Sequence, residues 1–358
     1  MRDGGVIVRL IATFLLAIAL CGRADAADVT VGTATAHPGS RANGFLRVAA
    51  GADAAAEIPV IVINGAKPGP TLALVAGAHG TEYASIIALY KLAQLADPAA
   101  LSGAAIVLPM LNIASFSRLV PHLNPVDGKN MNRLYPGKAD GTQTERALLA
   151  VTGQVLEKCD YLIDFHGGDL DENLRRYAYW ADSGQARLDG ISREMVLAFG
   201  LDHIIIQRNR TFPAPGSPVT ITRQAQIMGK PAIAVEAGHA GTTETDDIDA
   251  LVRGTLNVMR HLKMLPGTAP PAGEAVWLDN AATVIADRDG VFQPAVVPEA
   301  YVRKGMKIGT VTDYFGEKPA DVTAPISGVV IYVRAVPSLK KGDTVAYIGE
   351  VVDAPPLK

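Results

Sequence analysis

Three apolar runs, each ending abruptly in a polar cluster, constrain this chain more than any other feature. They are Leu72 to Glu82 (LALVAGAHGTE), Tyr161 to Gly168 (YLIDFHGG) and Ala232 to Gly238 (AIAVEAG). Short runs rich in Val, Ile and Leu and bounded by Gly read as strands of a parallel sheet buried on both faces. In such an open α/β sheet, ligands bind beyond the carboxyl ends of the strands. His79, Glu82, His166 and Glu236 would therefore converge on one crevice. Two histidines and one carboxylate form a catalytic zinc set with a coordination position left for water. The second glutamate is then free to act as a base.

His79 and Glu82 lie three apart, so one helical turn turns both the same way. That spacing alone is common by chance; His166, ending a second strand, gives it weight. Asp164 precedes His166 by two and shares its strand face, where it would orient an imidazole or cap backbone groups. Glu236 sits in a strand otherwise made of Ala, Ile and Val. Burial there raises a carboxyl pKa, which suits a general base and acid. His239 reads as a surface loop residue rather than a pocket one, and His37, His122, His203 and His261 lack metal-like spacing. The acidic run Asp169-Leu-Asp171-Glu172 reads as a solvated face, ahead of the alternative of a pocket lip that selects a substrate with an extra amine.

Strand patterns at residues 58–64, 71–77 and 105–111 alternate with helical ones at 84–95, 144–156, 187–199 and 247–264. Ile87, Leu89, Tyr90 and Leu92 supply the first helix's apolar residues, and Thr144 is the expected cap of the second. This alternation predicts an α/β fold with a mostly parallel sheet flanked by helices. The Pro/Gly stretch 265–273 reads as a linker. Beyond it, short β-like runs at 275–278, 282–286, 290–294, 307–312, 328–333 and 344–351 predict a small all-β domain over 274–358. The main domain is then 27–264.

Residues 1–26 read as a secretory signal peptide: Arg2 and Arg9, an apolar stretch from Leu10 to Leu20, then Ala24-Asp25-Ala26. Eleven apolar residues are too few to span a bilayer comfortably. Cleavage before Ala27 would send the chain to the periplasm or medium, with no stable membrane insertion. That segment carries a net +1, so its loss takes the formal charge from −3 to −4. No basic run suggests nucleic acid. Cys159 would be the lone cysteine left, which excludes an internal disulfide. Oligomeric state is not fixed by these features.

The motifs together resemble the succinylglutamate desuccinylase/aspartoacylase family, a branch of the zinc carboxypeptidase-like hydrolases, over roughly residues 55–355. The carriers are Gly77-Ala-His79-Gly-Thr-Glu82, Asn132-Arg133-Leu-Tyr135-Pro-Gly137, Asp164-Phe-His166-Gly-Gly and Val235-Glu236-Ala-Gly238. The resemblance implies a mixed, mostly parallel sheet and one Zn2+ per chain on His79, Glu82 and His166. It implies Glu236 as the base that activates the attacking water and protonates the leaving amine. Arg133 would hold a substrate carboxylate or polarise the scissile carbonyl, with Asn132 beside it and Arg118 also facing the substrate. Where many members carry Asp, this chain has Asn130, so an orienting acid is missing or Asp127 replaces it. The C-terminal segment Ala324 to Ile331, followed by Leu339 to Val345, resembles a barrel-sandwich hybrid without its lysine-bearing hairpin. It would cap the crevice, with Tyr314 the candidate reaching in. The implied substrate is a small N-acyl amino acid or related amide. The alternatives are a metallocarboxypeptidase acting on peptides, including cell-wall peptides, and a non-catalytic binding protein.

Overall fold

Residues of the three apolar runs alternate between two cores, which is why each run is apolar almost throughout. The computed structural model describes residues 27–271 and 273–355. The expected signal peptide lies outside the described residues. In the strand Lys67–Ala76, Leu72, Leu74 and Ala76 face one core while Ala73 and Val75 face the other. Helices Tyr83–Leu95, Ala186–Phe199 and Thr245–His261 cover the first face, and Gln143–Val151 with Ile221–Ile227 cover the second. Leu74 is fully buried, so its truncation to Ala would cost roughly 2–5 kcal/mol.

One mixed sheet runs through the described residues. Its order is Tyr301–Val302, Gly328–Arg334, Thr344–Val352, Val276–Ile285, His203–Arg208, Tyr177–Asp182, Ala232–Glu236, Tyr161–His166, Lys67–Ala76, Ser102–Leu108, Ala56–Asn64 and Ser40–Val48. The strands carrying Glu236, His166 and the approach to His79 are parallel neighbours, as is Ser102–Leu108. Tyr177–Asp182 then runs antiparallel to the Glu236 strand. Registers set the site: Asp164 pairs with Ala234 and His166 with Glu236. Across the next ladder Ala234 pairs with Tyr179 and Glu236 with Tyr177. Paired residues share a sheet face, so all six project together.

Several local expectations shift. The helix at 83–95 buries Ile86 in place of Ile87, which is 41% exposed. Helix Gln143–Val151 is capped by Thr142, not Thr144, through a capping box with Glu145. Thr144 instead donates its hydroxyl to Asp127, 2.9 Å away. The helix ends earlier than its pattern predicts, in a wider turn over Thr152–Leu156.

The C-terminal β region is hydrogen-bonded into the main sheet. The runs expected at 275–278 and 282–286 form one strand, Val276–Ile285, with a register irregularity between Asp279 and Ala282. It pairs in parallel with His203–Arg208 and antiparallel with Thr344–Val352. A second stitch is the short strand Glu172–Leu174, antiparallel to Gly328–Arg334. Strands Gly290–Pro294, Lys307–Thr312, Ala320–Thr323 and Ser338–Leu339 form a second sheet that encloses Phe292, Ile308, Val330 and Ile348. Cys159 is free and buried, and burial pushes its thiol up to about 11.

Candidate active site

The parallel strands deliver His79, Glu82 and His166 to one cluster in which all three ligand atoms lie within 4.8 Å of one another. The Glu82 carboxylate is bracketed: His79 Nδ1 is 2.6 Å from Oε1 and His166 Nδ1 is 3.0 Å from Oε2. Both imidazoles thus turn the same nitrogen toward one point, and a buried carboxylate closes the set. This donor set suits a metal ion of the zinc type. Glu82 itself follows the strand and opens helix Tyr83–Leu95 as its cap residue, without capping it by side chain. Burial raises its carboxyl, but His79 and His166 outweigh that and draw it down to about 2.

Each imidazole has its other nitrogen held. His166 Nε2 lies 3.0 Å from Asp164 Oδ2 and 2.8 Å from Asn132 Nδ2. Asn132 Nδ2 also donates to Asp164 Oδ2 at 3.1 Å, and Asn132 Oδ1 accepts the Ile221 backbone N–H at 2.9 Å. Burial lowers the His166 pKa, yet Asp164 and Glu82 overcome it and hold it well above the ordinary histidine value. His79 Nε2 faces Asn130 Oδ1 at 3.2 Å, and that oxygen also accepts the Asn132 N–H. So Asn130 itself occupies the orienting position for His79. Asp127 does not replace an acid there: its carboxylate is taken by Thr144 and the Lys129 N–H.

Glu236 lines the same cavity of about 440 Å³, at the end of its strand. Burial pushes its carboxyl well above the usual range, and Glu82 and Glu172 add to the shift against the pull of His166. Arg133 also lines the cavity, exposed, with Nη1 donating to the Asn132 carbonyl at 2.8 Å. It lines a second cavity as well, together with Arg208, Thr220 and Arg223.

Two expected residues are elsewhere. Arg118 ends the short helix Ile113–Arg118 and is exposed. It lines a separate cavity with Glu57, Asn112 and Asn124 that shares no lining residue with the first. Tyr314 is 75% exposed in a turn whose N–H groups fold onto Asp313. The β region instead contributes Tyr332, Tyr347, Thr283 and Thr344 to the cavity wall.

The acidic run is likewise not a solvated face. Asp169 is fully buried, accepting from Thr81 Oγ1 and from the His122 N–H. His122 Nε2 bonds Asp171 at 2.8 Å, and its ring lies edge-on to His79 with centroids 6.1 Å apart. Burial lowers His122, but Asp171, Glu172 and Asp169 lift it to about 9. Glu172 lines the cavity, with burial raising its carboxyl to about 7. Tyr177 and Tyr179, whose hydroxyls are 3.3 Å apart, complete the floor beside Glu236. His239 is partly exposed beside Asp247 and does not line the cavity.

Residues 68–262, more than half of the chain, match the catalytic domain of succinylglutamate desuccinylase/aspartoacylase. The chain belongs to this family. It is 29% identical over 322 residues to the N-alpha-acetyl-L-2,4-diaminobutyric acid deacetylase of Halomonas elongata, covering 87% of this chain and 92% of that protein. Its fold is similar to a succinylglutamate desuccinylase/aspartoacylase from Rhodobacter sphaeroides, with a TM-score of 0.77 and 25% identity over 88% of this chain and 96% of that one. It is equally similar to the product-bound ectoine utilization protein EutE (DoeB) from Ruegeria pomeroyi, with a TM-score of 0.77, 27% identity, and coverage of 87% and 95%. The mixed α/β sheet with its C-terminal all-β region is therefore the family's fold, as the motifs predicted.

Proposed function

We propose that this protein is a zinc-dependent deacylase that hydrolyses the amide bond of small N-acyl amino acids. The observation that carries the proposal is the Glu82 carboxylate held between two imidazole Nδ1 atoms, in one cavity with Glu236 and Arg133. The deacetylase relative supports the reaction class. His79, Glu82 and His166 would hold one zinc ion, and their chemistry fits it. Bound there, the ion supplies Lewis-acid polarisation of the amide carbonyl and lowers the pKa of water.

The protein groups do the rest. Glu236 takes the proton from the attacking water and returns it to the leaving nitrogen. Burial raises its pKa above the ordinary carboxyl value, the direction that strengthens a carboxylate as a base. Arg133 offers a planar fork to the substrate's carboxylate or to the reacting carbonyl. Asp164 and Asn130 hold the two imidazoles in orientation. Tyr332 and Tyr347 wall the cavity from the β region, which favours small amides over the extended peptides a carboxypeptidase would need to thread. Export to the periplasm or medium, with the mature chain starting near Ala27, belongs to the same reading and is supported by the n-region, h-region and A-x-A order of residues 1–26.

The test is a screen of the zinc-loaded mature protein against N-acetylated amino acids and short peptides, following release of free amine. Hydrolysis of at least one N-acetyl amino acid, lost on chelation and restored by zinc, is expected. Turnover of peptides alone, or turnover indifferent to chelation, would overturn the proposal.

A further inference from the structure

The cavity contains one acidic group that the proposed chemistry leaves unused. Glu172 opens the short strand that stitches the α/β part to the β region, and its side chain lines the same cavity as Glu236. Its Oε2 accepts the Asp169 backbone N–H at 3.1 Å. No Lys or Arg pairs with it among the described residues. Two neighbouring cationic groups are committed elsewhere. Arg334 is its partner in the strand register, but that guanidinium reaches Asp171, Asp343 and the Ser338 carbonyl instead. His122 bonds Asp171 and lies against Asp169. A half-buried carboxylate without a cation is costly unless a ligand supplies one.

The cavity's arginine stands on another side of it. Tyr177 pairs with Glu236 across the ladder, and Tyr179 lies two residues deeper. Arg133, with Gln207, Thr220 and Tyr347, also lines the adjoining second cavity, whereas Glu172 does not border it and is tied to Asp169, which accepts the His122 N–H. Arg133 and Glu172 thus stand on different sides of the one cavity. Arg133 is the only arginine or lysine among the lining residues. An N-acyl dicarboxylic amino acid would set one carboxylate on Arg133 and its second against Glu172. A zwitterionic side of the substrate would satisfy both.

Resting on the deacylase reading above, we propose that Glu172 is a specificity residue that receives the ammonium group of an N-acylated diamino acid whose carboxylate lies on Arg133. The relative's substrate, an acetylated diaminobutyric acid, has that charge pattern. Glu172 touches the substrate's far end and takes no part in bond cleavage.

The experiment measures kcat/KM of the zinc-loaded mature protein on three substrates of matched length. They are Nα-acetyl-2,4-diaminobutyrate, Nα-acetylnorvaline (a methyl in place of the ammonium) and N-acetylaspartate. A preference of at least tenfold for the first over the second is expected, with N-acetylaspartate poorest, since a charge-assisted bond in a buried site has about that worth. In Glu172→Gln the ratio of the first to the second should collapse toward one. A wild-type ratio near one, or a preference for N-acetylaspartate, overturns the inference while leaving the deacylase reading intact. Unchanged selectivity in Glu172→Gln overturns it too, because a purely structural role moves all substrates alike. Should Glu172→Gln not fold, Glu172→Asp is measured instead; it keeps the charge but retracts it, and must lower the same ratio. Failure to hydrolyse any of the three, or any other N-acetyl amino acid, sinks both readings together.

Discussion

Asp164→Asn isolates what the charge behind His166 does, because the substitution leaves the geometry nearly unchanged. Asp164 is 1% exposed, and its Oδ2 already accepts from both His166 Nε2 and Asn132 Nδ2. Its Oδ1 has no partner among the described residues. An asparagine can place its oxygen where Oδ2 is and its amide nitrogen where Oδ1 is, so shape is kept and charge is lost. One charge-assisted hydrogen bond is worth about 1.5–3 kcal/mol. That corresponds to roughly tenfold to a hundredfold in metal affinity, the usual loss when the partner behind a histidine ligand is altered.

The pH dependence gives a second, independent readout. In metal-free protein His166 donates toward Asp164 and Glu82 from its two nitrogens, and its pKa is held well above the ordinary histidine value. A proton on Nδ1 competes with the metal, so apparent affinity rises with pH until that raised value is passed, by up to tenfold per unit. Asp164→Asn lowers the His166 pKa, so its plateau begins at lower pH but at weaker affinity. The stability linkage has a matching sign: a raised folded pKa stabilises fully below the unfolded value near 6.5 and is lost as pH rises through the folded value. The metal-free variant should therefore fall furthest below wild type in the acid range, around pH 6. Competition titrations against a chromophoric chelator between about pH 6 and 9 measure the affinities. Wild-type affinity and an unmoved pH profile in Asp164→Asn would refute the argument.

Three further outcomes follow from the site and the core. Glu236→Gln should keep metal and fold yet lose turnover by roughly 10²–10⁴, checked by metal analysis beside kcat; near-normal kcat removes it from the chemistry. Arg133→Lys should lower kcat/KM about tenfold or more, since only a guanidinium makes two parallel bonds to a carboxylate. Comparing a free-acid substrate with its carboxamide separates carboxylate binding from carbonyl polarisation: the first role predicts loss on the acid alone. Phe292→Ala empties the core of the second β sheet, where Phe292 is 1% exposed, and should cost about 3–5 kcal/mol by denaturant titration; a loss under 1 kcal/mol would mean that this core does not carry the region's stability.

The convergence of His79, Glu82, His166 and Glu236 was legible because parallel register is simple. Runs buried on both faces end at the same side of the sheet, so residues at run ends meet without knowledge of the loops between them. Pairing of His166 with Glu236 is the direct expression of that rule. Asn130 was legible only as a departure from the family pattern; its role depends on a turn that aims Oδ1 at both His79 Nε2 and the Asn132 N–H. Tyr177 and Tyr179 lie on a strand whose alternation is masked by aromatic and small residues on both faces. They reach the site through an antiparallel ladder that no local signal announces. The acidic run misled for a related reason: charge density reads as solvation, but Thr81, His122 and Arg334 come from three distant segments to satisfy it.

The β region shows the limit most clearly. Tyr314 was attractive because it sits in a polar turn, and turns are where small domains usually present side chains. That reasoning holds for a domain tethered by a flexible linker, which can offer any loop to a neighbour. Here Val276–Ile285 continues the main sheet beside His203–Arg208, and Glu172–Leu174 binds Gly328–Arg334 from the other side. Two ladders fix the orientation of the region, so strand faces, not turns, meet the cavity. Tyr332 and Tyr347 are paired across the ladder between Gly328–Arg334 and Thr344–Val352, and both line the cavity with Glu236. The ladder that sets Tyr332 opposite Leu174 also sets Glu172 opposite Arg334. Glu172 and the attachment of the β region therefore share one hydrogen-bonded seam. A change in the seam's register, by one residue, would turn Tyr332 away from the cavity and move Glu172 with it.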